Sequence, residues 1–266
     1  MRAARALLLG LAAVLALAGC ASTAGSDVDP DGAGAAPSVI GEQLSGELSI
    51  FAAASLQGAF DELATAFEAR HPSLEVLPIG YDGSSTLATQ IVEGAAVDVF
   101  ASADEPTMQR VVDAGLADAP APFATNTLAL VTPPGNPAGV AGLADLADPD
   151  LIVVLCDVAV PCGAASIALL DAAGVTAVVD SHEQNVTAVV TKVATGEADA
   201  GLVYVTDAAA ADLDTVAVPG TADVVNRYPI VDLATSAHPA AAAAFVAFVQ
   251  SAEGQRVLAA HGFGAP

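Results

Sequence analysis

Apolar positions in this chain fall into two alternating rhythms. Leu48–Ala53 is a short apolar run of strand length, and after it Leu56, Phe60, Leu63 and Phe67 recur at the spacing of one helix face. That pattern predicts a strand leading through Ser55 into a helix that runs to Arg70, where His71-Pro72 stops it. Leu74–Ile79 reads as a second strand, and Gly80-Tyr-Asp-Gly83 as a turn. A helix follows from Ser84, carrying Leu87, Ile91 and Val92 and closed by Gly94. Val97–Ala101 is strand-like, Glu105–Ala114 helical, and Thr127–Thr132 a strand broken by Pro133-Pro134-Gly135.

Beyond the break the same alternation resumes. Leu151–Leu155 is strand-like, and the loop Cys156–Gly163 leads to a helix with Ile167, Leu169 and Leu170, ended by Gly174. Glu183-Gln-Asn185 precedes a helix with Val186, Val189, Val190 and Val193, ended by Gly196. Ala200–Val205, Val216–Val218 and Ile230–Leu233 are strand-like, and helices His238–Gln250 and Ala252–His261 close the chain. Such alternation predicts an α/β fold with largely parallel sheets. The Pro-Pro-Gly break and the late return of strand and helices predict two lobes. Lobe 1 takes residues 46–125 and 231–266, and lobe 2 residues 126–230.

The N-terminal residues change this picture. Met1-Arg-Ala-Ala-Arg5, an apolar run to Ala18 and then Gly19-Cys20 form a basic region and a hydrophobic segment too short to span a bilayer. Residues 1–19 therefore read as a signal peptide, and Leu17-Ala-Gly-Cys20 resembles a bacterial lipobox, which implies lipidation at Cys20. Residues 20–45 are rich in Ala, Gly, Ser, Pro and Asp and read as a flexible tether. The expected location is extracytoplasmic, anchored to the cell membrane by lipid.

Charge excludes more than it suggests. The net charge is −24, and loss of Arg2 and Arg5 with the signal takes it to −26. So acidic a surface argues against nucleic acid and against anionic lipid headgroups as partners. Aromatic residues make up 4% of the chain, with no Trp, so stacking on sugars or bases is not its main mode of recognition.

Candidate chemistry gathers at four helix starts: near Ser55, Ser84, Cys162-Gly163 and Val186. A helix N-terminus presents unpaired backbone N–H groups, and a serine hydroxyl beside them completes an anion site. The plainer reading of each serine is an N-cap. In open α/β sheets, strand C-termini and helix N-termini face one crevice. Two such crevices facing each other would form a trap of N–H and hydroxyl donors, and no basic residue lies near any of the four starts.

The runs Phe51-Ala-Ala-Ala-Ser-Leu56, Gly83-Ser-Ser-Thr-Leu-Ala88 and Asp98-Val-Phe-Ala-Ser-Ala103 resemble the periplasmic molybdate-binding proteins of ABC transporters. The likeness continues through Val160-Pro-Cys-Gly163, Asn185-Val186, Gly201-Leu-Val-Tyr204 with Asp207-Ala208, and Tyr228-Pro229. It implies a two-lobed type II periplasmic-binding-protein fold with the ligand cleft between lobes. It also implies an oxyanion ligand set at Ser55, Ser84, Cys162, Val186 and Tyr204. Hydroxyls come from Ser55, Ser84 and Tyr204, and backbone N–H groups from Ser55, Ser84, Cys162 and Val186. The implied function is capture of molybdate, and of tungstate with it, for delivery to an ABC importer. The partners are that oxyanion, the membrane permease and the membrane through the anchor. The protein is expected to be a monomer, without cofactor, side-chain metal ligands or catalytic residues. Asp82 departs from expectation, because a carboxylate beside an anion must point away or cap the helix. Cys156 and Cys162 bracket a short loop, and in an exported chain a disulfide is the natural reading; buried free thiols are the alternative.

Rival functions have weaker signatures. There is no Gly-x-Ser-x-Gly elbow and no His-Glu-x-x-His run, and the four histidines are scattered, so an enzyme lacks its motifs. A ferric-ion site would want several tyrosines or carboxylates converging, and only Tyr81, Tyr204 and Tyr228 exist. A sulfate or thiosulfate binder is the serious alternative, and a non-catalytic surface lipoprotein the blander one.

Overall fold

Side-chain alternation along two short central strands builds both faces of the first lobe. The computed structural model describes residues 44–266. The signal segment, Cys20 and nearly all of the tether lie outside the described residues. In β2 (Ile50–Ala53), Ile50 and Ala52 point into one apolar cluster while Phe51 points into another. In β5 (Val99–Ala101), Val99 and Ala101 join the first cluster and Phe100 the second. This is the period-2 pattern of a strand buried on both faces. The first cluster is covered by α1 (Gln57–Arg70), α7 (Pro239–Gln250) and α8 (Ala252–Ala260), and the second by α2 (Ser84–Val92) and α3 (Glu105–Asp113).

Phenylalanines knit the larger face. Phe60 meets Phe123 and Phe245 at 5.8 and 6.1 Å between ring centroids, and Phe67 meets Phe245 edge-on at 5.2 Å. These offset and tilted contacts suit the ring quadrupoles. The distribution matters, because residues from both the N-terminal and C-terminal parts of the chain share one core.

A third cluster forms the other lobe. It joins β7 (Val153–Cys156), β9 (Ala200–Tyr204), α4 (Pro161–Ala173) and α5 (Val186–Ala194). The sheet runs β4-β2-β5-β11-β6-β9-β7-β8, where β4 is Gly80–Asp82, β6 Ala121–Thr132, β8 Ser181–Glu183 and β11 Val225–Asp232. β10 (Asp214–Val216) pairs with the end of β6, and β1 (Ser45–Leu48) pairs in parallel with β3 (Ser73–Val76).

Parallel pairing holds within each lobe: β2 with β4 and β5, β7 with β8 and β9. The centre is antiparallel, contrary to the largely parallel sheet expected. Strands β6 and β11 pass side by side from one lobe to the other, pairing β11 to β5 at one end and β6 to β9 at the other. A chain that crosses between lobes and returns must run in opposite directions, so these crossing strands cannot be parallel.

Three further differences have local causes: the strand expected at Ile230–Leu233 begins five residues earlier, at Val225, where β11 starts to pair with β6. The segment expected to turn at Gly80 is the edge strand β4, because it pairs in parallel with β2; Gly80 lies opposite Phe51, whose ring would stand 2.7 Å from a Cβ there. Gly80 thus serves side-chain packing rather than reversal. The strand expected from Thr127 begins at Ala121, six residues earlier, since its first half pairs with β11 across a gap in sequence that local pattern does not register. Among the described residues, no helix is long and apolar enough to cross a membrane.

Candidate functional site

Five elements end at one small cavity. Its wall includes Ala53, Ser55, Ser84, Cys162, Val186 and Tyr204, together with Asp82, Gly83 and Asn185, and the free space it leaves is about 10 Å³. That is below the ~300–1,000 Å³ of pockets for drug-sized ligands. A larger open groove lies beside it, lined by Ser55, Gln57, Asp61, Thr206, Asp207 and His261 among others. The smaller cavity is the one on which the helix starts converge, and all five expected site residues stand in its wall.

Neither serine acts as a cap. Ser55 lies within a 3-10 turn (Ala54–Leu56) that precedes α1, and its Oγ is 3.0 Å from the Tyr228 hydroxyl. Ser84 is the first residue of α2 behind Gly83, is 1% exposed, and its Oγ accepts the Ala103 N–H at 2.9 Å. With one of its two lone pairs taken by that N–H, the Ser84 hydroxyl still has its proton to give.

Tyr204 is arranged in the same way. It is fully buried at the end of β9, and its hydroxyl oxygen accepts from Asn226 Nδ2 at 3.1 Å. An amide NH₂ can only donate. Asn226 therefore fixes which way the Tyr204 proton points, and also donates to the Ala103 carbonyl at 3.1 Å. Burial raises the Tyr204 hydroxyl well above its ordinary pKa, so it stays protonated and remains a donor. Burial likewise raises Tyr228, the partner of Ser55.

The remaining donors are backbone N–H groups. Pro161 and Cys162 open α4, and Val186 opens α5 behind Asn185, whose Oδ1 accepts the Ala188 N–H at 3.0 Å. The first N–H groups of a helix have no helical carbonyl to bond, so those of Cys162 and Val186, both in the cavity wall, have no partner within their own helices. Cys162 is bonded to Cys156 with S–S 2.05 Å and Cα–Cα 5.7 Å, which ties the first turn of α4 to the end of β7.

No Lys, Arg or His lines this cavity. Lys192 pairs instead with Glu183, and Arg70 with Glu253. Among the described residues no group of three His, Cys, Asp or Glu side chains could hold a metal ion.

Several contributors to the site were not visible in the sequence. Asn126 and Asn226 are Cα partners across the crossing strands β6 and β11, both nearly buried; Asn126 Nδ2 donates to Thr206 Oγ1 at 2.9 Å. Their only signal was a polar residue inside an otherwise apolar strand. Asp207, two residues into α6 (Val205–Ala210), accepts the Tyr204 N–H at 3.2 Å, and burial pushes its carboxyl up to about 7.

Comparison with known proteins agrees with this geometry. Residues 48–264 match the family described as bacterial extracellular solute-binding protein. The chain belongs to that family. Its members bind and carry solutes rather than transform them, and they hold the ligand as cargo. The molybdate-binding protein ModA of Mycobacterium tuberculosis is 47% identical over 220 residues, covering 82% of this chain and 84% of the relative. Among solved structures, the periplasmic molybdate-binding protein of Azotobacter vinelandii superposes with TM-score 0.70 at 23% identity, covering 82% of this chain and 99% of the other. The sulfate-binding protein SubI of Mycobacterium tuberculosis gives TM-score 0.66 at 21% identity, covering 82% and 86%. At those identities the likeness is one of fold. The fold is shared by proteins described for either anion.

Proposed function

We propose that this chain captures molybdate, and tungstate with it, in the cavity between its lobes and delivers it to an ABC importer from a lipid anchor at Cys20. The observation that carries the reading is the convergence of Ser55, Ser84, Cys162, Val186 and Tyr204 on one cavity without a cation or a free acceptor among them. The 47% identity to a molybdate-binding protein supports the choice of anion. Residues 46–125 and 231–266 act as one lobe and 126–230 as the other, closing on the ligand.

Neutral donors are sufficient in magnitude. A hydrogen bond to a charged group contributes about 1.5–3 kcal/mol, so seven such donors supply roughly 10–20 kcal/mol before ordering costs. Micromolar to nanomolar binding requires about 8–12 kcal/mol. Donors without acceptors also sort anions by protonation. Molybdate, tungstate and sulfate accept on every oxygen, whereas monohydrogen phosphate carries a proton that finds no acceptor among these five residues, and Asp82 Oδ1 in the same wall is already bonded to Asn185 Nδ2 and the Gly83 N–H.

Calorimetry with molybdate, tungstate, sulfate and phosphate tests the reading, with molybdate and tungstate expected to bind and phosphate to fail. Ser55→Ala and Ser84→Ala should each weaken molybdate binding by about 1.5 kcal/mol or more. Tighter binding of sulfate than of molybdate would transfer the assignment to sulfate, and wild-type affinity in both variants would remove the serines from the site.

A further inference from the structure

Asp82 is the one feature of the cavity that an anion trap does not explain. It ends β4 in the first lobe and stands in the cavity wall, with no basic side chain there to offset it. A carboxylate beside a dianion repels it, and in a partly dry cavity that repulsion is stronger than in water. Something must be gained by its presence.

The gain lies across the cleft. Asp82 Oδ1 accepts from Asn185 Nδ2 at 2.8 Å, joining residues 103 apart in sequence and on opposite lobes. The same oxygen accepts the Gly83 N–H at 2.7 Å. Asn185 in turn caps α5 through its Oδ1. One oxygen thus ties the residue before Ser84 to the residue before Val186, coupling the helix starts that supply donors from each side. The approach is close: a Cβ on Gly83 would stand 2.1 Å from the Gln184 carbonyl oxygen, so only glycine lets the two corners meet.

We propose that Asp82 and Asn185 form a closure latch, a pair of positioning residues that holds the two lobes together around the oxyanion and sets how long it stays bound. The bond exists only when the corners are together, so it stabilises the closed state and not the open one. A ligand escapes at the rate of opening, and the latch acts on dissociation rather than on entry. Asp82 contributes through this bond more than its charge costs.

The two effects of Asp82 have opposite signs, which makes the proposal testable. It rests on the oxyanion-binding reading, and the probe is molybdate, or the tightest binder of the four anions should molybdate fail. A failure of molybdate alone would overturn the choice of anion and not the latch. Stopped-flow and calorimetry on the full mature chain would compare Asp82→Ala, Asp82→Asn, Asn185→Ser and the double variant Asp82→Ala/Asn185→Ser. Serine retains the cap of α5 while deleting the amide donor. Asp82→Ala and Asn185→Ser should each raise the dissociation rate about tenfold, the size of one lost charge-assisted bond, and leave association within about twofold. The double variant should be no weaker than the weaker single, because the bond between Asp82 and Asn185 is already lost in either one; Asp82→Ala alone also frees the Gly83 N–H. Asp82→Asn keeps an acceptor oxygen and loses the charge, so it should stay near wild type. Should Asp82→Ala prove poorly folded, Asn185→Ser against wild type carries the test alone. Tighter binding by Asp82→Ala, an unchanged dissociation rate in Asn185→Ser, or additive losses in the double variant would overturn the latch.

Discussion

At the residue scale, the site is organised by what each hydroxyl accepts. Ser84 Oγ accepts the Ala103 N–H and Tyr204 Oη accepts from Asn226 Nδ2, so each hydroxyl keeps its own proton to donate. Asn226 is thus as important to the cavity as the tyrosine it touches, though it contributes no group of its own. Asn226→Asp keeps its size and reverses its polarity: the carboxylate would accept the Tyr204 proton and turn it from the ligand. Molybdate affinity should fall at least tenfold, the worth of one hydrogen bond to a charged group. Calorimetry in a Tyr204→Phe background separates the causes. The penalty should largely vanish there, and an equal penalty in both backgrounds would assign it to charge alone. Sequence pattern placed the helix starts near Ser55, Ser84, Cys162 and Val186 because strand, small residue and helix are adjacent in the chain. It missed Asn126 and Asn226 because their partners lie 80 and 22 residues away.

At the element scale, helix starts are useful only if their direction is fixed. Cys156 lies at the end of β7 and Cys162 in the first turn of α4, so their bond holds the N–H of Cys162 against a buried strand. A loop this short restricts the unfolded chain by about 2–3 kcal/mol on the chain-entropy account. Reduction, or a Cys156→Ser/Cys162→Ser variant, should therefore lower the melting temperature and weaken molybdate binding together. Unchanged affinity in the reduced protein, measured by calorimetry, would show that α4 holds its own direction. The paired helix α5 needs no such staple, since Asn185 caps it. Expected helices matched their observed bounds to within a few residues because their apolar stripes and closing glycines are local. The strands at β4 and β6 departed from expectation where partner strands or a stacked ring decided the conformation.

At the scale of the whole molecule, charge and stability are linked through a few partly or fully buried carboxyls. Asp207 is raised from its ordinary range to about 7 because folding takes it from water. The folded state therefore binds more protons than the unfolded state between about pH 4 and pH 7. The contribution of Asp207 to stability is complete below that window and is lost as the pH rises through 7. Asp207→Asn keeps an acceptor for the Tyr204 N–H and has no such loss. Its melting temperature relative to wild type should climb by on the order of several degrees between pH 5 and pH 8. A constant difference across that range would remove Asp207 as the source. Asp98 behaves oppositely. Despite its burial, bonds from Ser236, Ser49 and His238 hold its carboxyl below its ordinary value, so its contribution is lost on the acid side.

By itself the sequence determined the alternation of strand and helix and the small residues at the helix starts, because each is written in neighbours a few residues apart. The acidic composition is equally local, and it leaves the cavity to neutral donors. The tertiary structure alone decided the antiparallel crossing of β6 and β11 and the asparagines that orient the hydroxyls. It also decided the role of Asp82. In sequence that residue is a carboxylate misplaced beside an anion site; in space it bonds to Asn185, which no local pattern could bring within 2.8 Å. Hydrogen bonds act over a few ångströms, so their meaning appears only once distant parts of the chain are side by side.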